Sequence, residues 1–217
     1  TVTADDLFDA EHWRFDSPEA ERAEGRFVGY DRTEVTAHAL AVRELGDGRV
    51  AVQLSDVPFY AESGGQVSDV GEIIGSGWRM HVQDVKKRDG RIAAIGVLDG
   101  SWRFGTVVAR VPAARRHDIM RNHTATHLLH AALRETLGEH VHQAGSLVAP
   151  DRLRFDFTHH GPMSADELAM VERRVNDGIW ASLAVDITER PYAEAVADGA
   201  MALFGEKYGD VVRVVEI

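Results

Sequence analysis

The chain has 217 residues, of which 44% are hydrophobic and 27% charged, and it contains no cysteine. A chain of this length and composition can form one large or two smaller globular domains, but no disulfide bonds or thiolate metal sites of its own. The net charge of −11 excludes the broad basic surface of an autonomous nucleic-acid-binding protein. No apolar run is long enough to span a bilayer. We therefore expect a cytoplasmic protein without a membrane partner.

The first 112 residues are predicted to form a leader and a β-barrel. Residues 1–24 are acidic and contain a helix-start pattern at Thr3, so we interpret them as a leader helix and linker. In residues 25–112 apolar and polar side chains alternate with a period of two, and glycine-containing turns lie at 46–48 and 89–90. This pattern is typical of β-hairpins, and short strands at such spacing indicate a small, closed or nearly closed β-barrel.

One loop inside the predicted barrel has a distinct composition. Gly64 and Gly65 lie between polar residues that extend from Glu62 to Asp69. Paired glycines allow a close backbone approach or a positive φ angle. A binding loop near the domain junction and a plain wide turn explain this spacing equally well.

Residues 113–217 are predicted to form a second domain. The pattern indicates a helix over about 114–137, stopped by Gly138, and another that starts at the capping box Ser164–Glu167. Strands are predicted at about 140–148, 152–158, 185–189 and 211–217. The fold class is therefore α+β: a small β-barrel followed by an α/β two-layer sandwich with a mainly antiparallel sheet.

The first predicted helix carries the main candidate site. His123 and His127 are four residues apart, so both imidazoles leave one helix face and can bind one cation. Zinc accepts such ligands and can activate a bound water. With eleven histidines in the chain, about half a match to this spacing is expected by chance, so two ordinary surface histidines fit as well. Thr126 and Gln143 add neutral polar groups nearby, and no glutamate lies between the histidines as in metalloproteases.

Arginines surround this candidate site in the sequence. They are Arg115, Arg116, Arg121, Arg134, Arg152 and Arg154. A small basic patch on an otherwise acidic protein could bind the end of a polyanion, but scattered, solvated arginines explain the pattern too.

Five motifs together resemble the alanyl-tRNA synthetase family. They are Phe59–Gln66, Arg121–His127, Gln143–Val148, Leu153–Phe157 and Leu203–Tyr208. The resemblance extends in order from about residue 25, over the region that follows the aminoacylation and tRNA-acceptor domains. It implies a barrel domain at 25–112 and an editing domain at 113–217, with the activity of an aminoacyl-tRNA ester hydrolase on mischarged Ser-tRNA(Ala) and Gly-tRNA(Ala).

The resemblance also implies residue roles and partners. His123 and His127 correspond to zinc ligands, and Thr126 and Gln143 to the catalytic pocket. The partners would be the acceptor end of tRNA(Ala) with misattached serine or glycine, and the remaining synthetase domains. A second selection step by hydrolysis is chemically reasonable, because a binding pocket for alanine discriminates against serine or glycine by only about 1–3 kcal/mol.

The family completes its zinc site with a Cys-Gly-Gly-Thr-His motif beyond the last predicted strand. This sequence lacks that motif, so we expect a C-terminally truncated chain with an incomplete Zn²⁺ site, which can be empty and leave the chain inactive. Surface roles are expected for the other nearby histidines, although one could substitute as a ligand: His130, His142, His159 and His160. Two alternatives stay open: a free-standing trans-editing protein and a non-catalytic tRNA-docking scaffold.

Overall fold

The computed structural model describes residues 3–9, 12–200 and 209–216. The chain divides into two compact units, Thr1–Asp118 and Ile119–Ile217. The α+β class is confirmed, since an antiparallel six-stranded barrel is followed by helices and antiparallel hairpins. The three-part division at residues 24 and 112 stays a prediction. The motif Leu203–Tyr208 lies outside the described residues.

The first unit consists mainly of strands. Its elements are α1 (Ala4–Leu7), β1 (Arg14–Phe15), α2 (Pro18–Arg22), β2 (Arg26–Phe27), β3 (Glu34–Gly46), β4 (Arg49–Leu54), β5 (Asp56–Val57), β6 (Gly71–Gly75), β7 (Trp78–Arg88), β8 (Arg91–Gly100) and β9 (Gly105–Arg110). Six strands pair in the order β3-β4-β8-β7-β6-β9, and β3 pairs with β9 to close the barrel. Because the barrel is closed, the backbone N–H and C=O groups at the strand edges pair within the barrel itself.

The barrel interior is filled by the inward side chains of its strands. Along β7, buried and exposed residues alternate from Trp78 to Gln83, as expected for a strand with one face in a core. Phe59, Ile73 and Met80 are fully buried members of this cluster. The period-two pattern in the sequence therefore corresponds directly to the packing of the barrel.

The leader contributes to the first unit. Leu7 and Trp13 are buried in a second cluster that includes Ala41 and Ala51 of the barrel strands. The Trp13 indole N–H donates to the carbonyl oxygen of Leu7 at 2.8 Å. Residues 14–15 form β1 and pair with β3, which the sequence pattern did not predict.

The hairpin turn predicted at residues 89–90 is confirmed. β7 ends at Arg88 and β8 begins at Arg91, so Asp89 and Gly90 form a two-residue connection. Their φ angles are 48° and 81°. Positive φ at both central residues is the requirement of the tight turn whose twist matches a β-hairpin, and Asp-Gly is among the sequences that meet it.

The second half contains helices and hairpins. Its elements are α3 (Ala113–Leu137), β10 (Gln143–Val148), β11 (Leu153–Phe157), α4 (Ala165–Ala181), β12 (Asp186–Pro191), α5 (Tyr192–Ala197) and β13 (Val211–Glu216). β10 pairs with β11, and β12 with β13, both antiparallel. The antiparallel pairing agrees with the prediction, but the described strands form two separate hairpins rather than one continuous sheet.

The capping box at the start of α4 is confirmed. The Ser164 hydroxyl accepts from the Glu167 backbone N–H, and the Glu167 carboxylate accepts from the Ser164 backbone N–H. The helix ends at Ala181. Ser182 has a left-handed conformation with φ of 49°, which terminates the helix.

The second unit has a small core. Ala132, Leu133, Val141 and Val171 are buried together, whereas many apolar side chains of α4 and of the β12–β13 hairpin are exposed. Examples are Leu168, Ile179, Trp180, Ile187 and Val211. No helix in the described part of the chain combines the length and apolar character needed to cross a bilayer.

Candidate functional site

The two predicted metal ligands lie side by side on α3. The rings of His123 and His127 have centroids 5.1 Å apart and an interplanar angle of 19°. Burial lowers the pKa of both imidazoles, and for His123 the nearby charges of His127 and Arg213 lower it further. Both rings therefore favour the neutral form, the form in which an imidazole nitrogen can bind a metal ion.

Thr126 lies between them in sequence, but its hydroxyl is committed to the helix. The side chain is buried, and Thr126 Oγ1 donates to the carbonyl oxygen of Asn122 at 2.7 Å. Such a bond to the preceding turn uses the single hydroxyl proton. Thr126 can therefore offer a ligand only its oxygen lone pairs, and only where the ligand reaches a buried atom.

Asn122 connects the helix to the first hairpin of the second unit. Its Nδ2 donates to the carbonyl oxygens of Ala149, at 2.7 Å, and Pro150, at 3.3 Å. These residues follow β10 directly. The amide therefore has a positioning role that the sequence did not reveal.

Gln143 lies at an irregular point of the hairpin. It is the first residue of β10, is partly buried, and pairs with Phe157 of β11. The register shifts between Gln143 and Gly145, and such a bulge changes the direction of a strand side chain. The structure thus brings the two histidines into contact, while Thr126 and Gln143 are placed on two different elements of the same unit.

The histidine pair provides part of a zinc site. Two neutral imidazoles on one helix face fit the chemistry of zinc ligands, but a stable protein site usually has three or four ligands. Among the described residues, no three His, Asp or Glu side chains are arranged to hold a metal ion together. His130, one turn further along α3, is buried and packs against Phe155 with ring centroids 5.0 Å apart. It is part of the helix packing rather than a third ligand.

The glycine-rich loop of the barrel contains a buried ion pair that sequence analysis missed. Asp69 is fully buried, and its carboxylate accepts from the backbone N–H of Tyr60 at 2.7 Å and from Arg116 Nη2 at 2.5 Å. Arg116 also donates to the carbonyl oxygens of Gly29 and Pro58. The loop is therefore anchored to the start of α3 within the first unit.

Several of the arginines near the candidate site in sequence have polar partners in the structure. Arg116 is buried and paired, and Arg115 donates to the carbonyl oxygen of Ser68 at 3.2 Å. Arg152 and Arg154 are exposed but are paired with Asp151 and Asp156 at 2.8 and 3.1 Å. Arg115 and Arg116 share the carboxylate of Asp69, whereas Arg152 and Arg154 each have a carboxylate of their own.

Known proteins similar to this chain point to one group of enzymes. Residues 11–115 match the model of the family described as tRNA synthetases class II (A). The chain is 52% identical, over 205 residues and 89% of its length, to the alanine–tRNA ligase of Geobacillus thermodenitrificans (strain NG80-2), of which it covers 23%. It is 50% identical over 206 residues, 90% of its length, to that of Listeria welshimeri, again 23% of that protein. The chain thus spans about a quarter of the length of these curated relatives.

These comparisons correct the expected activity. The predicted aminoacyl-tRNA ester hydrolase is contradicted, because the matching family consists of class II tRNA synthetases and the similar proteins are named as ligases. The free-standing editing protein and the non-catalytic scaffold are set aside for the same reason. The five motifs were assigned to the editing region of the family, whereas residues 11–115 match class II tRNA synthetases and the similar proteins are named as ligases. The likeness to alanyl-tRNA synthetase itself is supported.

Proposed function

We propose that this chain is part of an alanine–tRNA ligase and takes part, within that enzyme, in joining alanine to tRNA(Ala). The observation that carries the proposal is the identity of 50–52% over about nine-tenths of the chain, which includes both units. The match of residues 11–115 to class II tRNA synthetases supports the same assignment. As an enzyme of translation, the complete protein would act in the cytoplasm.

The two units would contribute differently to that enzyme. The closed barrel, with its buried Asp69–Arg116 pair, would provide a rigid frame. The second unit would provide the contact with tRNA(Ala), because it carries the partly buried histidine pair and Gln143, whose side chains have hydrogen-bonding groups. We assign His123, His127, Thr126 and Gln143 to the neighbourhood of the acceptor end. The net charge of −11 means that nonspecific attraction to phosphates would come from the remaining ligase domains.

The same histidine pair would hold a zinc ion in the complete ligase. His123 and His127 supply two neutral imidazoles, and the other ligands would come from water or from groups outside the described residues. A bound zinc ion would supply a Lewis acid that fixes an oxygen or nitrogen group of a ligand. The role of the protein is to keep both imidazoles neutral and parallel on one helix face.

The ligase assignment is tested with the complete protein that contains this sequence. Purified protein is incubated with ATP, labelled alanine and either tRNA(Ala) or a non-cognate tRNA. We expect ATP-dependent formation of Ala-tRNA(Ala) and none with the non-cognate tRNA. A folded protein that binds tRNA(Ala) but forms no Ala-tRNA(Ala) would contradict the assignment.

The zinc assignment is tested by metal content. The complete protein is dialysed against metal-free buffer, and zinc is measured by atomic spectroscopy. We expect about one equivalent in the wild type and a loss of that equivalent in the His123→Gln/His127→Gln variant. His81→Gln, which changes an exposed barrel histidine, is the matched control and should keep the metal. Equal zinc in all three proteins would refute the role of the pair.

A further inference from the structure

A second histidine cluster lies at one end of the β10–β11 hairpin. His140 and His142 precede β10, and His159 and His160 follow β11. The ring of His140 is nearly parallel to the rings of His159 and His160 across the hairpin, with centroids 5.2 Å and 4.6 Å away. The candidate ligands on α3 are not among these contacts. We call these four residues the hairpin histidine cluster.

Two ring nitrogens of the cluster face each other directly. His140 Nε2 and His159 Nδ1 are 2.9 Å apart and form a hydrogen bond. Because an imidazole hydrogen bond needs one acceptor nitrogen, at least one of the two facing atoms carries a lone pair that points at the other ring. Two nitrogens bound at about 2.0–2.1 Å to one tetrahedral ion are about 3.3–3.4 Å apart. A separation larger by about half an ångström would therefore let both rings bind one ion.

The backbone around the two rings is held by hydrogen bonds. Thr158 Oγ1 donates to the carbonyl oxygen of His140 at 2.8 Å and accepts from the His142 backbone N–H at 3.0 Å. The Thr158 backbone N–H donates to the carbonyl oxygen of His142 at 3.0 Å. These bonds fix the two ends of the hairpin side by side. Little conformational entropy would then be lost when the rings bind a ligand.

The lowered pKa of His140 also suits a cation. Desolvation, followed by the charges of His160, His159 and His142, lowers the pKa of His140. A ring that resists protonation at neutral pH keeps a lone pair available for a metal. The hydrogen of the existing bond can move to the other nitrogen of its ring, so both facing nitrogens can become ligands while each ring stays neutral.

We propose that His140 and His159 form a chelating site for a divalent transition-metal ion such as Cu²⁺, Ni²⁺ or Zn²⁺ at the end of the β10–β11 hairpin. The described residues contain no set of three His, Asp or Glu side chains arranged around one ion, so water completes the coordination shell. His160 lies against the outer face of His140 and supports its ring. Imidazole pairs favour these metals over Mg²⁺ and Ca²⁺, which prefer oxygen ligands, and Cu²⁺ should bind most tightly.

The site is tested by titration of the chain produced without a histidine tag. His123→Gln/His127→Gln is used as the background, so that the candidate zinc ligands on α3 do not contribute. We expect saturable binding of one Ni²⁺ per chain. His140→Gln and His159→Gln should each weaken binding about tenfold or more, and His81→Gln should leave it unchanged. Circular dichroism checks that each variant is folded.

A spectroscopic measurement on the single variant His123→Gln, in which the pair on α3 is broken, covers the case in which the double background variant does not fold. With less than one equivalent of Cu²⁺, electron paramagnetic resonance should show two coupled nitrogens in His123→Gln and one in His123→Gln/His159→Gln. The inference is overturned if His140→Gln and His159→Gln bind Ni²⁺ like their parent and leave the Cu²⁺ spectrum unchanged. Because this readout needs no tRNA, its failure would leave the ligase assignment unaffected.

Discussion

The two units of the chain differ in how they are stabilised. The first unit closes a barrel around a large buried apolar cluster and buries an ion pair beside it. In the described part of the second, the main apolar cluster has four buried residues, and much of the apolar surface of α4 and of the β12–β13 pair is exposed. Seven of the eleven histidines lie in the second unit. Buried apolar packing is thus concentrated in the barrel, and most of the imidazole groups lie outside the first unit.

The largest expected effect comes from breaking the buried ion pair of the first unit. Asp69→Ala would leave the guanidinium of Arg116 buried without its carboxylate, which should cost about 3–5 kcal/mol in the free energy of unfolding. Urea denaturation followed by barrel tryptophan fluorescence measures the loss. Asp151→Ala removes the partner of an exposed arginine and should leave the denaturation midpoint unchanged. Equal effects of the two substitutions would contradict the proposed role of burial.

A second test compares the cores of the two units. Ile73 is fully buried in the barrel, whereas Leu168 of α4 is 58% exposed. Ile73→Ala should lower the free energy of unfolding by about 2–5 kcal/mol, because it removes buried methyl groups and leaves a cavity. Leu168→Ala should change it by about 0.5 kcal/mol or less. If Leu168→Ala is as costly as Ile73→Ala, the apolar surface of α4 is buried in solution and the comparison fails.

The fold was largely readable from the sequence where its signals are local. Alternation with a period of two and the Asp89-Gly90 turn predicted the barrel, and the capping box at Ser164 predicted the start of α4. The buried pair of Asp69 and Arg116 joins residues 47 positions apart. No local pattern indicates which arginine lies close to which carboxylate, so that contact could not be predicted.

The candidate site was predicted only in part. Spacing on a helix was sufficient to place His123 beside His127. The contact between His140 and His159 depends on the pairing of two strands, and the bond from Thr126 to Asn122 depends on side-chain rotation. The activity inferred from the five motifs was wrong, because the matching family consists of class II tRNA synthetases and the similar proteins are named as ligases.

The capping box provides a smaller effect that is confined to the second unit. Ser164→Ala removes the hydroxyl that accepts from the Glu167 backbone N–H and should cost about 1 kcal/mol. Helix content at 222 nm during thermal unfolding reports the change. Ser101→Ala, at an exposed loop position of the first unit, is the control and should leave the unfolding curve in place. A curve for Ser164→Ala that matches the wild type would show that α4 does not depend on its cap.

The smallest expected effect is a pH dependence of the second unit in metal-free buffer. The pKa values of His123 and His127 are lowered in the folded chain, so the unfolded state binds more protons as the pH falls below about 6.5. The neutral rings therefore contribute to the free energy of unfolding above that pH. This contribution is lost as the pH falls towards the lower pKa of the rings in the folded state. Melting temperatures between pH 7.5 and 5.5 should therefore fall less steeply in His123→Gln/His127→Gln than in the wild type. Identical slopes would contradict the burial of these rings.

The central claim is that the second unit, and not the barrel, contacts tRNA(Ala). Its most direct test is the KM for tRNA(Ala) in alanylation by the complete ligase. Gln143→Ala should raise that KM about three- to tenfold, which is the effect expected when one hydrogen bond to the tRNA is lost, with little change in kcat. Gln83→Ala, an equivalent change on the exposed face of the barrel, should leave the KM unchanged. If Gln83→Ala raises the KM and Gln143→Ala does not, tRNA binds to the barrel and the assignment of the contact to the second unit is wrong.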